Sequence, residues 1–302
     1  MNNVDLKLLT IVAELFRTRS VSQTAENLAL SQSTVSMHLA TLRKHFNDPL
    51  FVKTSSGMEP TPHITELMEL IEKSKDLLQA VLEHHVVFNP ATSDRMFRLC
   101  STDIAKVTMM PKLMKRIQET APSVRIELRS MSANTARLLE SGELDLAVGF
   151  ISSLGAGFCQ QKLFKENFVC VVRADHPRIK SALTLAQFAS EIHLAVTTSG
   201  TGHDIVERAL EAKRIDRRIA MRVDGFLGIS SIIVATDCIV VVPQQLAQFL
   251  TREGRLKMLP LPFEVPSYFV MQHWHERYTH DVANRWLRGL FSDLFASGKA
   301  ER

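Results

Sequence analysis

Over the first ninety residues the apolar positions recur at the three-and-four spacing of an α-helix rather than in strict alternation. Leu6, Leu9, Ile11, Val12 and Phe16 predict a first helix with Asp5 near its start, and Thr18 and Ser20 interrupt it. Ser22, Ala25, Leu28 and Leu30 predict a short second helix. Ser31, Gln32 and Ser33 end it and open a third, which carries Val35, Leu39, Leu42 and Phe46 on one face and leaves Ser33, Thr34, Ser36, Met37 and Lys44 partly outward. Small polar residues at the start of that last helix would let its backbone approach base edges in a DNA major groove. Beyond Pro60, Thr61 and Pro62, the positions Ile64, Leu67, Met68, Ile71, Leu78, Val81, Leu82 and His85 repeat over about six turns. A domain of about sixty residues has little surface to cover so long a stripe. The pattern therefore predicts a partner helix from a second copy; the alternative is packing on its own domain.

The regime changes at 88–93, where Phe-Asn-Pro-Ala-Thr-Ser clusters turn formers. From Met96 onward short β-rich runs at 97–100, 124–128, 144–150, 168–173, 192–196, 219–223, 238–242 and 268–272 alternate with amphipathic helical stretches. That alternation predicts α/β architecture with largely parallel sheets. The polar stretch 164–167 divides it, and 260–266, with three prolines, carries the chain back. Two crossings make a hinge between two lobes.

Composition adds limits. The chain has 302 residues, 45% hydrophobic and 23% charged, with a mean hydropathy of +0.02; these values are those of a folded, water-soluble chain. No apolar run approaches the roughly 18–20 residues needed to span a bilayer, and the start lacks a secretory layout, so a cytoplasmic location is expected. Net charge is +4, compatible with a polyanionic partner without demanding one. Cys100, Cys159, Cys170 and Cys238 form no C-x-x-C pair. They are expected to be buried, inert thiols, with a redox sensor as the alternative.

The string Thr24-Ala-Glu-Asn-Leu-Ala-Leu-Ser-Gln-Ser-Thr-Val-Ser36, followed by Leu39, Leu42, Phe46, Pro49-Leu50-Phe51 and Lys53, closely resembles the helix-turn-helix signature of LysR-type regulators. The resemblance implies a winged helix-turn-helix in which Gln32, Ser33, Thr34 and Ser36 face the groove. Arg17, Arg19, Arg43, Lys44 and Lys53 would take phosphates. Two positions depart from the pattern: Arg43 stands where an acidic residue is usual, and Lys53 where Arg is usual, losing the fork geometry. An ordinary capped helix start is the competing reading of 31–36. Charge helps little, since within 1–60 six basic residues (Lys7, Arg17, Arg19, Arg43, Lys44, Lys53) face five acidic ones (Asp5, Glu14, Glu26, Asp48, Glu59). LysR-type proteins pair through the long helix and often form tetramers, so a homodimer or homotetramer on double-stranded DNA with a dyad-symmetric operator is expected.

From Arg95 the sequence resembles the LysR effector domain, two Rossmann-like α/β lobes with the type 2 periplasmic-binding-protein fold. The NahR/DntR/NodD branch is closest, through Phe97-Arg-Leu-Cys-Ser-Thr-Asp103, Met110-Pro111, Gly142-x-x-Asp145-Leu-Ala-Val-Gly149, Asp175-His-Pro177, Gly200-Thr-Gly-His203 and Trp274-His275 with Trp286-Leu-Arg288. Members of that branch sense aromatic compounds such as salicylates or flavonoids, which implies a small aromatic effector. The expected organisation is a DNA-binding domain at 1–60, a dimerisation linker helix at 61–90 and an effector domain at 91–302. Lobe 1 would hold 91–166 and 267–302, and lobe 2 would hold 167–266.

Ligands of α/β sheets bind beyond the carboxyl ends of strands, where helix N-termini favour anions. That rule selects Ser101 and Thr102 on one side of the cleft and Ser199, Thr201 and His203 on the other, with Glu166 and Phe168 at the crossing. Two segments, Lys165-Glu166-Asn167 and Val242-Pro243-Gln244-Gln245, lack the His and Arg of some aromatic-acid sensors. An aromatic effector is therefore better supported than an anionic one, and Glu166 is expected to repel a carboxylate. Neither cofactor nor metal is expected. Gly200-x-Gly202 is followed by Ile205 where a dinucleotide loop has a third glycine, Ser199 lacks a G-x-S-x-G elbow, and His273-x-His275 has no third ligand nearby. The reading is a transcription regulator and not an enzyme. The alternatives are a periplasmic-type solute-binding protein or an enzyme with an accessory DNA-binding domain.

Overall fold

The computed structural model describes residues 6–83, 87–151, 154–197 and 200–296. Asp5, His85 and Ser199, singled out above, lie outside them. The chain divides into two units, Met1–Val86 and Val87–Arg302.

In the first unit α1 (Leu6–Thr18), α2 (Val21–Asn27) and α3 (Gln32–Phe46) precede a hairpin of β1 (Phe51–Thr54) and β2 (Gly57–Pro60), and α4 (Pro62–Leu82) follows. Serines punctuate the helices. Ser20 Oγ accepts from Gln23 N–H at 3.3 Å and Ser31 Oγ from Thr34 N–H at 3.0 Å, each N-cap contributing about 1 kcal/mol. Leu8, Val12, Leu15, Leu39, Leu42, Leu50 and Phe51 form one core with Ile64, Met68 and Ile71 of α4. The long apolar stripe therefore splits. Its first half packs on its own domain, whereas Leu70, Leu77, Leu78, Val81 and Leu82 are exposed, Leu77 at 69% and Val81 at 71%. Leu30, expected to pack, is also exposed.

The second unit runs β3 (Met96–Ser101), α5 (Asp103–Thr108), α6 (Met110–Thr120), β4 (Arg125–Ser130), α7 (Thr135–Ser141), β5 (Leu146–Gly149) and β6 (Phe158–Glu166). The chain then crosses into β7 (Phe168–Arg173), α8 (Leu185–Ser190), β8 (Ile192–Val196), α9 (His203–Ala212), β9 (Arg218–Val223), α10 (Ile229–Ala235), β10 (Ile239–Pro243), α11 (Gln244–Leu250) and β11 (Leu256–Pro260). It returns as β12 (Tyr268–His275) and α12 (Val282–Phe295). Two five-stranded sheets result, ordered β4-β3-β5-β12-β6 and β11-β7-β10-β8-β9.

The sheets are mixed, which corrects the expectation of largely parallel pairing. In each, one strand opposes the other four: β12 between β5 and β6, and β7 between β11 and β10. The reason is the hinge. Strands of the α/β repeats run toward it, whereas a strand arriving from the other lobe starts there and must run away; Phe168 pairs with Pro243, and Tyr268 with Glu166.

Lobe 1 packs Phe97, Leu99, Leu113, Ile117, Leu146, Trp274, Leu287 and Phe291 into its core. Lobe 2 buries both faces of its sheet, one cluster around Val171, Val240 and Ile233, the other around Cys170, Phe188 and Val241. Several of the quoted motifs are structural. Asp145 Oδ2 accepts from Arg98 N–H at 2.7 Å, and Asn284 Nδ2 donates to the Asp145 carbonyl at 2.8 Å, tying α12 to the sheet. His176 Nδ1 accepts from Ile179 N–H at 3.1 Å, and its Nε2 lies 3.1 Å from the Asp237 carbonyl. Cys100 and Cys170 are buried, and burial pushes the Cys170 thiol up to about 12. No helix among the described residues is long and apolar enough to cross a membrane.

Candidate functional site

The first unit presents the start of α3 to solvent. Gln32, Ser33 and Ser36 are exposed and Thr34 is half-buried, while Val35, between them, is fully buried. The Ser31 hydroxyl lies 2.7 Å from both Ser33 Oγ and Thr34 Oγ1, so the exposed end is a preformed patch of hydroxyls. Met37 is 59% exposed one position on from Ser36.

The five basic candidates are placed differently. Lys44 and Lys53 are exposed and in no ion pair among the described residues. Arg17 is bound through Nε and Nη2 to Glu14, which Asn27 also contacts at 2.6 Å; these bonds hold the Glu14 carboxyl down to about 2. Arg19 lies over the Phe16 ring and 3.9 Å from Glu59. Its carbonyl accepts from Met58 N–H at 2.8 Å, where a side chain on Gly57 would meet it. Arg43 donates to the carbonyls of Pro49 at 2.6 Å and Phe51 at 2.7 Å. The unusual Arg43 thus anchors the base of the wing, a use of the residue that the sequence did not suggest.

In the second unit the carboxyl ends of β3, β5 and β8 converge on a cleft between the lobes. Phe150 N–H, just past β5, donates to the Gly200 carbonyl, just past β8, at 2.9 Å, so the lobes meet backbone to backbone. Gly200 has φ +79, and a β-carbon there would run into Met131 Sδ and come within 3.0 Å of Thr102 Cγ2. One at Gly149 would come within 2.8 Å of Met131 Sδ and 3.2 Å of the Gly200 carbonyl. Absent side chains let the cleft shut.

Two cavities remain within it. One of about 350 Å³ lies among Met131, Ser132, Thr135, Phe150, Leu154, Thr197, Gly200, His203 and Asp204. The other, of about 20 Å³, lies toward the hinge among Thr102, Met109, Phe164, Glu166, Thr201, Gln245 and Tyr268. A larger groove of about 680 Å³ opens on the surface by Lys162, Arg208 and Phe269. The cleft is nevertheless the better candidate, because strand ends and buried polar groups converge there and not at the groove.

Of the sequence-selected residues, Thr102, Glu166, Thr201 and His203 line these cavities. Thr102 caps α5, its Oγ1 accepting from Ala105 N–H at 3.2 Å. Ser101 is buried behind it, its Oγ without a hydrogen-bond partner. Phe168 lines neither cavity; it packs edge-on to His203 at 5.6 Å and against Tyr268 at 5.3 Å. His203 Nε2 lies 3.3 Å from the Val241 carbonyl and Nδ1 2.7 Å from Thr201 Oγ1. A carbonyl only accepts, so Nε2 carries the proton and Nδ1 accepts from the Thr201 hydroxyl. Burial holds this imidazole neutral, down to about 4.

Glu166 corrects an expectation. It is 3% exposed and burial pushes its carboxyl up to about 7, against hydrogen bonds from the N–H groups of Asn167, Gln245 and Gln244 that favour the anion. Burial thus favours its protonated form toward neutrality, so it is not the fixed negative charge its sequence position implied. The folded state binds the extra proton between about pH 4.5 and 7. Its contribution is therefore complete below the unfolded value of 4.5 and is lost as pH rises through the folded one, a change on the order of 3 kcal/mol. Glu166→Gln should remove that loss. Denaturant titrations at a series of pH values test this, and an unchanged pH slope in the variant would show that Glu166 is ionised throughout.

Sequence reasoning missed Met131, Phe150, Gln245 and Tyr268. Met131 follows the carboxyl end of β4, so the rule that selected Ser101 could have selected it. Phe150 and Tyr268 were hidden inside strand-like runs.

Comparison with known proteins agrees with these two units. Residues 6–63 match the model of the bacterial regulatory helix-turn-helix protein, lysR family, and residues 91–296 match the LysR substrate binding domain. The HTH-type transcriptional activator NahR of Pseudomonas putida is 40% identical over 296 residues, covering 98% of this chain and 99% of that one. The activator NagR of Ralstonia sp is 39% identical over 297 residues, covering 98% and 99%. The crystal structure of the probable transcriptional regulator PA0477 from Pseudomonas aeruginosa is similar with a TM-score of 0.63 at 30% identity, covering 95% of this chain and 96% of that one. With a helix-turn-helix whose hydroxyl-lined helix start faces solvent, and a two-lobed α/β domain closed on a cleft, the chain belongs to the LysR family of DNA-binding transcription regulators.

Proposed function

We propose that this regulator reads a dyad-symmetric operator as a homodimer or homotetramer, and that a small aromatic effector bound between its two lobes controls the response. The observation that carries the effector reading is the Phe150–Gly200 contact, which closes two sheets over a cavity lined by hydroxyls and hydrocarbon. Binding there favours one lobe closure over another, and DNA can respond only through that difference in affinity. Gln32, Ser33, Thr34 and Ser36 would read bases, while Lys44 and Lys53 are the freest of the proposed phosphate contacts. The domain limits of 1–60, 61–90 and 91–302 and a cytoplasmic location go with this reading.

Dimerisation is supported by the exposed half of α4, where Leu70, Leu77 and Val81 fall on one helical face. Selection of binding sites from a random duplex pool should return two half-sites related by a dyad. A Leu77→Asp, Val81→Asp variant should sediment as a smaller species and bind that DNA at least tenfold more weakly, because two linked reading heads lose their effective concentration. A variant that keeps its size and affinity would show that this face packs elsewhere.

The Thr201–His203 pair has the spacing of a nucleophile and base, which would favour an enzyme. Its chemistry argues against that role. The imidazole is a weak base held near 4, Thr201 is 1% exposed, and the far nitrogen rests on a carbonyl rather than a carboxylate.

A further inference from the structure

The charge lining the cleft is one-sided. Among the described residues bordering its two cavities the ionisable acids are Asp204 and Glu166, and none is lysine or arginine. The cations nearby are directed elsewhere. Lys106 of α5 donates to Asp103 at 2.9 Å and Ser130 at 3.0 Å, and Arg208 and Lys162 border the surface groove instead. The N-terminus of α9, a ten-residue helix that starts at the cleft, already carries Asp204 in its first turn, so its dipole is partly answered. A carboxylate entering this space would leave water with no lysine or arginine among the described lining residues to pair it, beside the exposed Asp204 and the buried Glu166 carboxyl, and an unpaired buried charge is among the costliest things a protein can hold.

What the cleft does offer is neutral. The Gln245 carboxamide borders the hinge-side cavity and can both donate and accept. Thr102, Thr135 and Ser132 add hydroxyls, and Met131 and Phe150 add apolar walls. The main cavity, about 350 Å³, sits at the small end of the range of about 300–1,000 Å³ for ligand pockets, which suits a single ring.

We propose that the effector is an uncharged single-ring aromatic bearing hydroxyl, carbonyl or amide groups, seated in the main cavity against the Met131–Phe150 wall, with its polar group directed past Gly200, which borders both cavities, toward Gln245 and the hydroxyls of the hinge-side one. This rests on the cleft being the effector site. Gln245 then acts as a specificity residue: an amide selects neutral partners where a guanidinium would select carboxylates.

The test is calorimetric titration of the full-length protein near neutral pH with matched pairs of equal shape: benzamide against benzoate, and salicylamide against salicylate. The neutral member should bind about tenfold or more tightly than its acid in at least one pair. Gln245→Arg should reverse that order, and Gln245→Glu should keep it. Equal or tighter binding of the carboxylates by the wild type overturns the charge assignment, as does binding of neither member of any pair. Gly200→Val, which prevents closure, should weaken the neutral ligand. A neutral preference untouched by both Gln245→Arg and Gly200→Val would overturn the cleft as the effector site, a failure distinct from that of the charge assignment.

Discussion

Replacing Ser33 with tryptophan should abolish discrimination between operator and random duplex, with a loss of roughly 100-fold or more in specific affinity and an unchanged unfolding midpoint. The first turn of α3 is exposed, so the fold has no reason to resist the larger side chain. A groove-inserted helix has every reason to, because direct contacts to base edges are each worth about 1–3 kcal/mol and a bulky residue keeps several from forming at once. Lys53→Ala gives the contrasting result: all duplexes weaken alike, and the slope of log affinity against log salt falls by about one. Fluorescence anisotropy with both DNAs over a salt series separates the two. Retained discrimination by Ser33→Trp would remove α3 from the groove.

Gly200→Val should uncouple the protein from its effector. The residue holds φ +79, where a branched side chain is strained by about 1–3 kcal/mol, and its β-carbon would meet Met131 and Thr102 across the cleft. The shut state becomes rare, and apparent effector affinity falls in proportion, by about tenfold or more. Adding Met131→Ala removes one of the clashes without changing φ, so it should restore the response in part. A dose response equal to wild type in Gly200→Val would mean that lobe closure plays no part.

Much of this was legible in the sequence, for identifiable reasons. The strands at 168–173 and 192–196 were found with their limits because buried central strands are near-continuous apolar runs. The missed strands, β6 and β11, lie at sheet edges. The Cys-Gln-Gln-Lys run of β6 is largely solvated, and β11 ends in the proline-rich stretch that was read only as a crossing. Pairing direction was also beyond local pattern, since what opposes β7 and β12 to their neighbours is the position of the hinge.

For the site, the strand-end rule reached Thr102, Thr201 and His203, but it sees residue type and not what a side chain is already bonded to. It offered His203 as an effector contact; in the fold both its nitrogens are satisfied internally. The helix-turn-helix resemblance likewise offered Arg43 to phosphate, and in the fold its guanidinium is bonded to the wing. Glu166 illustrates the same limit through burial. The sequence shows a charge, and only packing reveals a carboxyl that keeps its proton near neutrality.

Hydroxyl-radical footprinting of the full-length protein on its selected duplex, with and without a saturating cleft ligand, is the most direct test of ligand-controlled DNA reading. The expected result is protection of two half-sites related by a dyad and separated by whole helical turns, with the pattern between or beside them changing on ligand addition. An identical footprint with and without bound ligand, or protection with no dyad, would contradict the account.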